Sequence, residues 1–172
     1  MNFNWNEALE LLERTPNTLE HLVIGLSDGW LQSNEGENTW TVKEVVDHLV
    51  QCEKTNWIPR ILSIVEDENL NPFPSFDRFA HLTTPTASID ESIMLLKQLR
   101  QENMSLLKNL QPTIQLSKKG LHPEFGEVTL EQLLSTWVVH DLTHISQIVR
   151  VMAKRYSNDV GPWQAYLSIL KK

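Results

Sequence analysis

The sequence has one cysteine, Cys52, in 172 residues, so an internal disulfide and a zinc site built from several cysteines are both excluded. It has no apolar run longer than a few residues, whereas a membrane-crossing helix needs about 20. The opening MNFNWNEALE has neither the basic start nor the apolar stretch of a secretion signal, so the expected location is the cytoplasm and no membrane partner is expected. Positive charge is also scarce, with 15 Lys and Arg against 22 Asp and Glu for a net charge of −7. Affinity for phosphate backbones comes from clustered Lys and Arg, so nucleic acid is not an expected partner. There is no internal repeat or low-complexity stretch. A 41% hydrophobic composition over this length suits one domain, residues 1–172, with a full core.

The strong periodic signals are helical. Four capping-box patterns mark helix starts: Asn4/Glu7, Thr41/Glu44, Ser88/Glu91 and Thr129/Gln132. The first helix is expected from about Trp5 to Leu26, with a kink or a Thr15-capped restart at Pro16, whose ring lacks an N–H. The second starts at Val42 and bends at Pro59. The third carries Ile89, Ile93, Leu96 and Leu99, and the fourth carries Leu130, Leu133, Leu134, Trp137, Ile148 and Val151. A short fifth helical segment, Trp163 to Leu170, is placed at the bundle end. The connection from Asp67 to Ala87, with Pro72, Pro74 and Pro85, is too long for an antiparallel turn. It implies a crossover, and hence an all-α four-helix bundle of up-down-down-up topology in which the crossover joins helices two and three and is available to cover a site. Pro112, Gly120, Pro123 and Gly126 keep residues 111–128 irregular or fold them as a small hairpin.

Three histidines stand out in this frame: His48 in TWTVKEVVDHL, and His140 with His144 in WVVHDLTH. Helical residues four apart differ by about 40° in angle and about 6 Å along the axis, so His140 and His144 leave the same face and can reach one ion. With His48 from another helix they form half a shell of neutral imidazoles around a divalent metal, leaving a position open for water or substrate. Because ligating imidazoles must be neutral, metal loss is expected as pH falls below about 6. A lone His on an apolar face is ordinarily a hydrogen-bonded core residue, and it is the pair that shifts the balance toward an ion.

The segments NTWTVKEVVDHLVQCE and HPEFGEVTLEQLLSTWVVHDLTHISQI give this chain a resemblance to the DinB/YfiT-like superfamily of four-helix metal proteins. The resemblance rests on a Trp-Thr helix start with a His seven residues after the Thr, an HPxxG turn, a Thr-capped helix, and an HxxxH pair followed by Gln147. Helix number and order extend it over nearly the whole chain. It implies that His48, His140 and His144 bind a divalent metal, zinc or nickel, and that the protein is a homodimer. It also implies transfer of a low-molecular-weight thiol, such as bacillithiol, to a small-molecule electrophile, with that thiol as co-substrate. The HPEFG turn is similar to that of the bacillithiol-transferase branch. That branch often carries aromatic or His residues between the paired histidines, where this chain has Asp141, Leu142 and Thr143, which leaves the thiol open.

The residues around the histidines carry alternatives. Glu44, one turn before His48, is a cap residue that could also serve as general base, fourth ligand or partner of a ligand. Gln147 either packs or hydrogen-bonds a ligating imidazole or a bound ligand. Cys52, one turn after His48, is a buried small side chain or a fourth ligand. His122 belongs to a turn at a pocket mouth, His21 and His81 to the surface, Trp40 and Trp137 to the core, and Asp141 to a neighbouring helix or solvent. The function expected is metal-dependent thiol S-transfer, with metal-dependent hydrolysis or non-catalytic binding of a metal or small ligand as alternatives.

Overall fold

The computed structural model describes residues 3–66, 70–86 and 88–171. Helix α1 spans Trp5–Val23, and the side chain of Asn4 accepts from the backbone N–H groups of Asn6 and Glu7 at its start. A single turn, α2 (Asp28–Leu31), precedes α3 (Val42–Thr55), whose capping box joins Thr41 and Glu44 in both directions. After α4 (Trp57–Glu66) and the one-turn α5 (Ala80–Thr83) comes α6 (Ile89–Leu110), where Ser88 accepts from the Glu91 N–H. Strands β1 (Lys119–His122) and β2 (Gly126–Thr129) form an antiparallel hairpin that leads directly into α7 (Leu130–Arg155), capped by a Thr129/Gln132 box.

Two core clusters fix the helix directions. One gathers Leu9 and Leu12 of α1, Cys52 of α3, Ile61 of α4, Leu107 of α6 and Leu134 of α7. The other gathers Leu19 and Val23 of α1, Val42 and Val46 of α3, Ile89 and Ile93 of α6, and Ile148 and Val151 of α7. Chain order therefore runs from the first cluster to the second in α1 and α7, and from the second to the first in α3 and α6. The bundle is up-down-down-up, as the loop lengths imply, with α1 and α3 each packed against both α6 and α7. Because α3 and α6 are parallel, the connection between them returns along the bundle. The outer residues of that expected crossover, Asp67 and Ala87, lie outside the described residues.

The prolines act differently from one another. Helix α1 runs through Pro16 without a restart, and Thr15 is buried with its hydroxyl donating to the Leu11 carbonyl rather than capping a new helix. A proline removes the N–H that would bond the carbonyl four residues earlier, here Leu12. The guanidinium of Arg100 on α6 donates to that carbonyl instead, at 2.5 Å. Pro59 does break its helix. The carbonyl four residues before it belongs to Thr55, where α3 ends, and Asn56 separates α3 from α4.

The crossover is stitched to the hairpin. The Phe73 N–H donates to the Leu121 carbonyl at 2.9 Å, and Pro72 bridges Leu121 in parallel. Gly120 is required at this seam, since a Cβ there would lie 2.4 Å from the Phe73 ring and 2.6 Å from Ile64. At the crossover's far end, Thr86 donates to Asp47 of α3 at 2.7 Å, while Lys43 reaches both Asp47 and Thr86. The C-terminal segment forms two 3-10 turns, Gly161–Tyr166 and Ser168–Leu170, and the second packs against α7. No helix among the described residues is long and apolar enough to cross a membrane.

Candidate metal centre

His48 leaves the middle of α3, and His140 and His144 leave successive turns of α7, so the two helices bring three imidazoles together with His140 close to both of the others. Nε2 of His140 lies 3.4 Å from Nε2 of His48 and 3.2 Å from Nε2 of His144. An ion about 2.0–2.1 Å from tetrahedrally arranged nitrogens sets them roughly 3.3–3.4 Å apart, so the spacing fits a shared divalent metal.

The tautomers suit ligation. The Nδ1–H of His144 donates to Oε1 of Gln147 at 2.8 Å, which turns the Nε2 lone pair toward the other two rings. This is one of the two roles expected of Gln147. The Nδ1 atoms of His48 and His140 are buried without a hydrogen bond of ordinary geometry, with the Arg78 backbone carbonyl facing the His48 ring. Burial pushes the His48 imidazole down to about 3, and the nearby His144 and His81 add to the effect. Burial, then His144 and His48, pushes His140 down to about 3 as well. Burial also lowers His144, against the opposing effect of its hydrogen bond to Gln147. All three are therefore neutral near pH 7, the form a metal needs.

Cys52 sits one turn along α3 from His48, with Sγ 3.4 Å from Nε2 of His48 and 3.9 Å from Nε2 of His140. Among the described residues, His48, Cys52 and His140 form a His/Cys/Asp/Glu group with ligand atoms within 4.8 Å of one another. Burial, then the charges of Glu53 and Asp141, raises the Cys52 thiol well above its ordinary range.

The three histidines floor a cavity of about 720 Å³. Its walls are Trp40, Trp57, Phe73 and Phe76, and its mouth is set by Arg60, Arg78 and the hairpin turn with His122, Glu124 and Phe125. His122 stacks on Phe125 at 4.5 Å, and its Nδ1 accepts from the Glu124 and Phe125 N–H groups. It thus lies at the pocket mouth, as expected. Phe73, Phe76 and Arg78 bring the crossover over the site.

The structure places several of the remaining residues. His81 is not a surface residue: it is 2% exposed, with its ring 4.5 Å from Trp40 and 5.2 Å from His48. Trp40 packs against the second core cluster, as expected, and also forms part of the pocket wall, 4.7 Å from His48 and stacked on His144 at 6.2 Å. Glu44 remains a cap, its Oε2 accepting from the Thr41 N–H at 2.7 Å, and it is not among the residues lining the cavity. Trp137 is core, stacked on Trp57 at 5.4 Å, and His21 is exposed. Asp141 turns from the histidines toward α6, where Arg100 binds it.

Comparison with known proteins agrees with this architecture. Residues 11–148 match the DinB superfamily model, and the chain belongs to that superfamily. A protein of Oceanobacillus iheyensis, named a "Putative metal-dependent hydrolase", is 26% identical over 151 residues, 87% of each chain. Bacillus subtilis YfiT, given the same designation, is 30% identical over 146 residues, covering 83% of this chain and 81% of its own. The solved structure of YfiT superposes with a TM-score of 0.72 at 27% identity, covering 91% of this chain and 87% of that one. It is described as a probable metal-dependent hydrolase with an unusual four-helix bundle topology.

Proposed function

We propose that the protein is a metal-dependent enzyme whose ion is held by His48, His140 and His144, and that it transfers a low-molecular-weight thiol to an electrophilic carbon. The observation that carries the metal reading is the convergence of three neutral Nε2 atoms, 3.2 and 3.4 Å apart in the two measured pairs, on the floor of the cavity. When bound, a zinc or nickel ion would supply Lewis acidity that lowers the pKa of a thiol or a water at its open position.

The chain's own residues supply the rest. Trp40, Trp57 and Phe76 exclude water and offer an apolar surface for the electrophile. Arg60 and Arg78 at the mouth offer cations to anionic groups on either reactant, and the buried Nε of Arg60 has no protein partner. Gln147 holds the His144 tautomer. Two features favour the thiol. The volume accommodates two organic reactants, and among the described residues lining the cavity the one carboxylate is Glu124, exposed in the hairpin turn.

Hydrolysis is the second reading, and the designation of the relatives as metal-dependent hydrolases favours it. The metal-loaded protein should be assayed with a chlorodinitrobenzene-type electrophile and a panel of biological thiols, and separately with activated esters. Thiol-dependent conjugation that His140→Ala abolishes is the expected result. Ester turnover without thiol would replace transfer with hydrolysis, and absence of both would leave a binding protein.

A further inference from the structure

Cys52 is not needed by the proposed reaction, yet its sulfur faces the histidine cluster. A sulfur about 2.3 Å and a nitrogen about 2.05 Å from one tetrahedral ion lie roughly 3.5–3.6 Å apart. The two observed Sγ–Nε2 separations, 3.4 Å to His48 and 3.9 Å to His140, bracket that value. The two nitrogen pairs that share His140 meet their own requirement at 3.2 and 3.4 Å. A second observation is the side from which each donor approaches. His48, His140 and His144 line the cavity, whereas Cys52 does not and is 0% exposed. The sulfur therefore lies behind the imidazoles, and the cavity side stays open. His48 itself is 4% exposed, with its Nε2 aimed at the same point.

We propose that Cys52 is a further ligand beside the histidines, so that its thiolate would bind the ion from the protein interior and leave the cavity side to substrate. This rests on the three-histidine metal reading and goes beyond it. Coordination exchanges the S–H bond for a sulfur–metal bond and releases one proton to solvent; no oxidant or reductant is required. One thiolate lowers the formal charge of the site from +2 to +1 and makes it softer, favouring zinc or cobalt over hard oxygen-seeking cations.

Cobalt(II) is the probe, because sulfur ligation gives a near-ultraviolet charge-transfer band that nitrogen ligation does not. The purified full chain, in thiol-free buffer, is titrated with cobalt alongside Cys52→Ser and Cys52→Ala. The expected result is one equivalent bound with a thiolate band in the unmodified protein. In the variants the band should vanish while cobalt still binds, at least about tenfold more weakly. Cobalt bound by the unmodified protein without the band, or a band that survives in Cys52→Ala, overturns the inference and leaves the histidine site standing. No cobalt bound by the unmodified protein overturns both. Should neither variant fold, the spectrum of the unmodified protein decides, since it has no other cysteine.

Discussion

Two buried polar clusters lie side by side in this bundle and have opposite characters. On α3 and α7, consecutive residues divide between them: Cys52 and His140 face the metal cluster, while Glu53 and Asp141 face Arg100. Consecutive helical residues differ by about 100°, so one helix can serve two sites at once. The Arg100 cluster is closed except at the guanidinium Nε, which is buried without a partner. Its guanidinium binds Asp141 at 2.7 and 3.1 Å, Glu53 at 2.7 Å and the Leu12 carbonyl at 2.5 Å, tying α6 to α7, α3 and α1. Asn103 and Trp137 donate to the remaining positions of Glu53, at 2.9 and 3.2 Å. The histidine cluster is open, with Nε2 atoms close together, the His140 Nδ1 buried without a hydrogen bond, and a cavity above. A polar cluster whose members pair mostly with each other reads as structural, and one whose metal-ligating atoms gather at the floor of a cavity reads as a site for a ligand.

The largest test breaks the closed cluster. Arg100→Met leaves two carboxylates buried against no cation and should cost about 3–5 kcal/mol, read by urea unfolding. His140→Ala, by contrast, should abolish metal binding while the metal-free fold loses less than about half as much. Equal losses from the two variants would erase the distinction.

Acid probes the open cluster next. The folded-state values of His48 and His140, about 3, lie below the unfolded value of about 6.5, so the unfolded chain binds more protons between them. Stability of the metal-free protein therefore falls as pH drops from about 6.5 toward 3, by at most about 1.4 kcal/mol per pH unit for each histidine. This modifies the expectation of metal loss below about 6: the folded site keeps its imidazoles neutral well under that pH, so acid should remove metal by unfolding the chain. Metal release and loss of helical signal should coincide in an acid titration. Release from a chain that stays folded at pH 5–6 would contradict the burial argument.

Two smaller effects sharpen the contrast. Gln147→Ala frees the His144 ring and should weaken metal affinity about 10–100-fold without changing metal-free stability, measured by competition with a chelator. Pro16→Ala restores an N–H able to compete with Arg100 for the Leu12 carbonyl. It should shift stability by less than about 1 kcal/mol and leave metal affinity unchanged.

Much of this was legible in the chain because the information is local. The four cap residues sit at the four long-helix starts, the long second connection implies parallel α3 and α6, and the HxxxH spacing puts His140 and His144 on one face. The parts that were not legible depend on tertiary placement. His81, Arg60 and Arg78 owe their positions to the crossover and to the break at Asn56, and the crossover has no periodicity to reveal which of its residues turn inward. Arg100 did leave a signal. It falls on the buried stripe Ile93, Leu96, Met104 and Leu107 of α6, where a charge demands partners. Pro16 gave half of its message, a freed carbonyl, without showing that a side chain from another helix would fill the vacancy.

The proposed role of the open cluster is a metal site built by His48, His140 and His144. The direct test is elemental analysis of untagged protein purified without added metal, beside folded His48→Ala and His140→Ala/His144→Ala variants. The account predicts about one equivalent of zinc or nickel in the unmodified protein and none in either variant. No metal in the unmodified protein after reconstitution near neutral pH, or full metal in the variants, would contradict it.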